Sequence, residues 1–189
     1  MPSNGSCIII IIIMTLFARI SSSSLSQADP RVHFMKLALR HAQHAFREKE
    51  VPIGAVLVDE HGEVLAAARN RVEAMRDSTA HAEMECLRLA SRVRANWRLL
   101  NCTLYTTLEP CPMCTGALQA ARVQRVVYAA SDRRLGALGS WVDLVSAGHP
   151  FHRMEVEGGV CEEEAANLMK RFFQMRRRES EGERLSEEV

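Results

Sequence analysis

From residue 30 onward the apolar positions change period several times, and each change marks an element. Met35, Ala38, Leu39, Ala42, Ala45 and Phe46 recur at three- and four-residue intervals, which predicts an amphipathic helix over 30–49. Asp29-Pro30 suits its start, an N-cap before a first-turn proline. Val51-Pro52-Ile53-Gly54 ends that pattern, and GAVLVD, a His61-Gly62 turn and EVLAAA then read as a two-stranded hairpin. A polar loop with Asn70, Arg71 and Asp77 leads to a helix over about 80–94. CTLYTTL (102–108) is a strand by its β-branched and aromatic content, followed by a helix over 112–121 and a strand RVVYAA (125–130). A last helix is expected over about 162–178. Strands interleaved with helices predict a layered α/β domain, and no internal repeat is visible.

The amino terminus does not follow this pattern. Residues 7–18, CIIIIIIMTLFA, contain six consecutive isoleucines. The run is shorter than the roughly 20 residues a membrane-spanning helix needs. No basic region precedes it, as a secretory signal would require. Read from Met14, the segment has one arginine, many serines and no acid before Asp29, which has the character of an organellar transit segment. A start codon placed too far upstream and a disordered tail without function are the alternatives. The expected division is therefore 1–28 targeting or disordered segment, 29–179 folded domain and 180–189 disordered acidic tail.

Composition narrows the picture little. The chain is 47% apolar and 25% charged with net charge +1, so it can bury a core and has no global basic field. Six scattered cysteines are too sparse for a disulfide scaffold and favour a reduced compartment. Cys86, Cys102 and Cys161 read as small buried apolar residues. His41 and His44 fall on a solvated helix face, and His149 and His152 in a loop.

Two stretches carry chemistry. TAHAEMECL (79–87) places His81 and Glu83 two apart, a spacing that points side chains about 200° apart in mid-helix. In a first turn, both can still serve one cleft. LEPCPMCTGAL (108–118) places Cys111 and Cys114 at i and i+3 on one face of a helix opening, where the positive helix end lowers thiol pKa. His81, Cys111 and Cys114 supply three donors of the kind zinc prefers, and the chain has no second CxxC or HxxxH to close the site. Three ligands leave a position for water, and Glu83 beside them is suited to move its protons. A redox CxxC, or a structural zinc completed by Cys86 or Cys102, are the competing readings.

The pair TAHAEM and TLEPCPMCTGAL resembles the zinc-dependent cytidine and adenosine deaminases, whose established signature is H-x-E…P-C-x-x-C. EVPIGAVLV (50–58), RNR (69–71), RVVYAASD (125–132), GALGS (136–140) and FFQMRRRE (172–179) narrow the resemblance to the tRNA-specific adenosine deaminases over about residues 31–179. The resemblance implies a three-layer α/β/α sandwich with a five-stranded mixed sheet, one zinc per chain and a homodimer. It implies hydrolytic deamination of adenosine to inosine at the wobble position of a tRNA (an arginine tRNA in bacteria and plastids), with a zinc-activated water as nucleophile. By the same resemblance, His81, Cys111 and Cys114 fall on the metal ligands, Glu83 on the proton shuttle, Asn70 on a base-contacting asparagine and Asp132 near the target sugar. Asn70 and the 51–54 loop with Ile53 would orient the purine, and an anticodon stem-loop would present it already unstacked. Val72 departs from the proline common after Asn-Arg in bacterial relatives. The amino-terminal extension favours an organelle, a plastid before a mitochondrion, with a cytoplasmic protein as the alternative and no membrane association.

Lys170, Arg171, Arg176, Arg177 and Arg178, with Phe172 and Phe173 among them, suit phosphate contact and base stacking. Cations are also favoured at any helix C-terminus, so the residues alone leave both readings open. The family tail favours RNA. A deaminase of a free nucleobase or nucleotide (guanine, cytosine or a riboflavin precursor) is the enzymatic rival. A catalytically dead RNA-binding subunit is the rival from another class, and Glu83 speaks against it.

Overall fold

The computed structural model describes residues 29–146 and 148–187, with side chains through residue 181. The expected targeting segment, residues 1–28, lies outside them. The helices are α1 (Pro30–Arg47), α2 (Val72–Met75), α3 (Ala82–Val93), α4 (Pro112–Ala120) and α5 (Glu162–Glu187). The strands are β1 (Gly54–Val58), β2 (Val64–Arg69), β3 (Thr103–Leu108), β4 (Arg125–Ala130) and β5 (Glu155–Glu157). One mixed sheet runs in the order β2-β1-β3-β4-β5. β1 is antiparallel to both β2 and β3, while β3, β4 and β5 are parallel.

Strand alternation splits the core into two layers, as period-2 geometry demands. Ala55, Leu57, Leu104 and Val126 pack with Cys86, Leu87, Ala90 and Leu118 of α3 and α4. Val56, Val58, Tyr105 and Val127 point the other way, onto Met35, Ala38 and Leu39 of α1 and Ala165 of α5. The sheet is thus covered on both faces, the arrangement expected of an α/β/α sandwich. β1 is buried at all five positions, which is why GAVLV reads as a continuous apolar run and not as an alternation.

Helix α1 lies hard against the start of β1. A Cβ on Gly54 would stand 2.1 Å from the Ala38 carbonyl oxygen and 2.6 Å from the Ala42 nitrogen, so only glycine allows the two backbones to approach this closely. The Gly54 N–H in turn donates to Thr107 Oγ1 of β3 at 3.1 Å.

Three features differ from expectation. β5 is three residues long and largely exposed, too short for a periodic signal. The one-turn α2 falls inside the predicted polar loop. Helix α5 does not stop near residue 178 but continues to Glu187, into the stretch expected as an acidic tail; ESEGERLSE (179–187) has a single glycine and is otherwise rich in residues that tolerate or favour helix. No helix among the described residues is long and apolar enough to cross a membrane.

Candidate metal centre and substrate cavity

The site is built from two helix beginnings. His81 is the N-cap of α3, in extended backbone conformation at φ −70°, ψ 151°. Cys111 is the N-cap of α4 at φ −73°, ψ 172°, with proline at the first helical position. Each carbonyl accepts the first helical hydrogen bond, His81 from the Glu85 N–H and Cys111 from the Thr115 N–H, both at 2.9 Å. Ahead of His81 the chain is folded by Asp77, whose Oδ1 accepts from the Thr79 N–H at 2.7 Å and the Thr79 hydroxyl at 2.8 Å. These bonds hold the Asp77 carboxyl below its ordinary pKa.

Where the helix ends meet, His81 Nδ1 is 3.7 Å from Cys111 Sγ and 3.5 Å from Cys114 Sγ. All three donor atoms lie within 4.8 Å of one another. Ligands about 2.0 to 2.3 Å from a tetrahedral zinc stand roughly 3.5 to 3.8 Å apart, so the residues fit the metal in donor type and in spacing. Hydrogen bonds among the three side chains shift their proton affinities. The hydrogen bond from Cys114 brings the Cys111 thiol down to about 4. The same bond, together with burial, pushes Cys114 up. The hydrogen bond to Cys111 raises His81. A cation bound by the three would displace the shared proton.

Glu83 lies on the first turn of α3 and is 3% exposed. Its Oε2 is buried without a hydrogen-bond partner among the described residues. Burial raises its carboxyl to about 7. A buried acid with one unpartnered oxygen beside three metal-type donors is poised for proton transfer.

Above this floor opens a cavity of about 290 Å³. Ile53, Asn70, His81, Asp132 and Phe173 line it, joined by Glu50, Val72, Leu108, Arg134, Leu135 and Met169. It sits at the carboxyl ends of β2, β3 and β4, where open α/β sheets ordinarily hold ligands. Of the residues singled out in the sequence, His81 therefore lines the cavity with Ile53, Asn70, Asp132 and Phe173, while Cys111, Cys114 and Glu83 cluster about His81 without lining it themselves.

The rest of the basic aromatic stretch lies elsewhere. Phe172 is 3% exposed and packs edge-on against Phe46 with ring centroids 5.7 Å apart. This corrects its expected place on an RNA-facing surface: successive helical residues point about 100° apart, so Phe172 and Phe173 cannot face the same way. Arg176, Arg177 and Arg178 are exposed and lie outside the cavity, with Arg176 paired to Glu179 at 3.0 Å. Arg178 borders a separate hollow with Phe46 and Arg171. Cys86 and Cys102 are fully buried as expected, whereas Cys161 is only half-buried, at a left-handed φ of 59° ahead of α5.

Two buried acids escaped the sequence reading. Glu109, 2% exposed, precedes Pro110-Cys111, and its carboxylate accepts N–H bonds from Asp132 (3.1 Å), Leu138 (2.9 Å) and Ser140 (3.1 Å). It thereby fixes the loop that brings Asp132, Arg134 and Leu135 to the cavity. A Cβ on Gly136 would stand 2.4 Å from that carboxylate, so the loop closes over Glu109 only with glycine there. Glu50, 1% exposed, binds Asn70. The signal for Glu109 was its place between Leu108 and Pro110 at the end of a buried strand, whereas Glu50 follows Arg47, Glu48 and Lys49 and looks like one more solvated charge.

Residues 29–130 match the cytidine and deoxycytidylate deaminase zinc-binding region. The chain is 47% identical over 159 residues to a chloroplastic tRNA(adenine(34)) deaminase of Arabidopsis thaliana, a match that spans 76% of this chain and 12% of that much longer protein. It is 42% identical over 151 residues to the tRNA-specific adenosine deaminase of Bacillus subtilis (strain 168), covering 80% of this chain and 93% of the relative. Among solved structures, one from work on A-to-I editing by tRNA:A34 deaminases at the wobble position superposes with a TM-score of 0.67 at 41% identity, covering 72% of this chain and 98% of that one. The zinc-type donor triad, the buried Glu83 and these matches agree, and the chain belongs to the cytidine and deoxycytidylate deaminase zinc-binding family.

Proposed function

We propose that the protein hydrolyses the 6-amino group of adenosine at the wobble position of a tRNA, giving inosine and ammonia. In chemical class it is a hydrolase of carbon–nitrogen bonds in cyclic amidines. The observation that carries this reading is the buried Glu83, with its unpartnered Oε2, beside the His81–Cys111–Cys114 donors, of which His81 lines a cavity that α5 helps to form. The likeness to tRNA adenosine deaminases along nearly the whole folded domain supports adenosine as the base.

His81, Cys111 and Cys114 would hold a zinc ion, which would supply the Lewis acidity that readies a water as nucleophile at neutral pH. Glu83 takes the proton this water releases and passes it to the ring nitrogen next to carbon 6, then takes the second proton from the hydroxyl added at carbon 6 and gives it to the amine, which leaves as ammonia when the carbon–nitrogen bond breaks. Asn70 and Ile53 hold the purine, while Asp132 and Arg134 meet the sugar and phosphate at the rim. Phe173 offers an aromatic face there, with the Arg134 guanidinium 5.7 Å from its ring centroid. Arg176, Arg177 and Arg178 extend the contact along the anticodon stem-loop. An arginine tRNA is the substrate, the protein acts as a homodimer and the 1–28 segment directs it to a plastid, in line with its chloroplastic relative.

The test is to incubate the zinc-loaded protein with a panel of tRNAs and with free adenine, guanine and cytosine, then sequence the RNAs for A-to-I change and assay ammonia. Inosine at the wobble position of arginine tRNA is expected. Ammonia from a free base with no edited tRNA would replace this reading with that of a nucleobase deaminase.

A further inference from the structure

Glu50 closes the end of α1, its N–H donating to the Ala45 carbonyl at 3.0 Å, and its carboxylate reaches the substrate cavity. The two oxygens have different partners. Oε2 accepts from Asn70 Nδ2 at 3.1 Å, and Oε1 accepts from the Ala74 N–H on α2 at 2.8 Å. The Asn70 backbone N–H meanwhile donates to the Ile53 carbonyl at 3.0 Å. Asn70, 4% exposed, is thus held by both its main chain and its side chain to the 50–53 segment.

A side-chain amide can present either its oxygen or its NH₂ in a given direction, and its surroundings decide which. Both Glu50 oxygens are acceptors here, one toward Asn70 and one toward Ala74. Glu50 therefore admits one orientation of Asn70, with Nδ2 toward Glu50. What remains for a ligand is the second Nδ2 hydrogen and Oδ1, both in a fixed plane. The adenine ring nitrogens away from the reacting carbon are acceptors, so a purine seated here needs a donor whose direction is set before it arrives. We infer that Glu50 is a positioning residue that acts through Asn70, locking the amide so that the cavity offers the purine edge one fixed hydrogen-bonding polarity. This inference rests on the reading of the cavity as an adenosine site.

Glu50→Gln tests it with little change of shape. The glutamine oxygen can still accept from Ala74, but its NH₂ then faces Asn70 Nδ2, and the asparagine amide turns over to satisfy it. The expected result is a loss in kcat/KM for tRNA of about tenfold or more, carried mainly by KM, the scale of one mispaired hydrogen bond. Zinc content and Tm should stay near wild type. In an Asn70→Ala background the same substitution should change kcat/KM by less than about twofold, because the residue it acts through is gone. Equal losses in both backgrounds would overturn the inference and leave Glu50 as a tie between α1 and α2. Wild-type kinetics in Glu50→Gln would overturn it too.

If Glu50→Gln melts early or loses zinc, the cycle is run with Glu50→Asp, which keeps the charge and shortens the reach, with the same two outcomes expected and excluded. If the wild-type protein edits no tRNA, the substrate reading has failed, and the cycle is read instead as the Kd for purine riboside. Coupling between positions 50 and 70 in that Kd supports the inference, and additivity removes it.

Discussion

The floor of the cavity and its rim were assembled in different ways. The floor comes from two short contiguous stretches, each beginning a helix, and four residues there bring every group the chemistry asks for. The rim draws on Ile53, Asn70, Asp132 and Phe173, which lie far apart in sequence and meet only because the sheet order puts their segments at one edge. The floor is constrained by donor type and charge, so one atom exchanged destroys it. The rim is constrained by position, and its residues are held in place by neighbours such as Glu50 and Glu109.

Breaking the floor should give the largest effects. Cys114→Ser replaces a fully buried sulfur donor, and the variant should retain no zinc after dialysis and show only background editing; metal analysis beside an inosine assay checks both. Glu83→Gln should keep its zinc but lose about 10²–10⁴-fold in kcat, because only proton transfer is removed. Near-normal turnover in that variant would transfer the proton work to another group and erase the contrast with the rim.

The two adjacent phenylalanines sharpen the comparison. Phe172→Ala opens a hole against Phe46 and should cost about 3–5 kcal/mol of stability, read by denaturant melts, with tRNA affinity unchanged under conditions where it folds. Phe173→Ala should do the reverse, barely shifting Tm while weakening tRNA binding through the loss of a stacking face. The smallest effects belong to the arginines. Arg177→Ala should weaken tRNA binding a few-fold and reduce the slope of log K against log salt by about 0.7–0.9. Arg176→Ala should fall below that, since Arg176 is already engaged by Glu179.

The order of legibility follows the same division. His81, Glu83, Cys111 and Cys114 could be read because metal chemistry restricts residue type and because Pro112 and the strand before it announce a helix start. β1 to β4 and helices α1, α3 and α4 were legible from period and residue type to within a residue or two at most ends, whereas the one-turn α2 and the last turns of α5 were not. β5 was not, because three mostly exposed residues carry no periodic pattern. Phe172 was misplaced because composition says that aromatics and arginines share a stretch, and only the helix phase says which of them faces out. Glu50 and Glu109 were passed over because an acid in a sequence looks solvated until the fold surrounds it with N–H donors.

The two-layered core has a consequence for how such a protein can change. Helices α3 and α4, which carry the metal donors and Glu83, pack on one face of the sheet, while α1 and α5 pack on the other. Among the described residues, α5 alone of that second layer sends side chains into the cavity, through Met169 and Phe173. Substitutions along α5 can therefore retune which nucleic acid is admitted without disturbing any atom that breaks the bond. The sheet acts as a partition between an invariant reaction and a negotiable address, so a selection for new substrates would be expected to accumulate its changes on the α5 side.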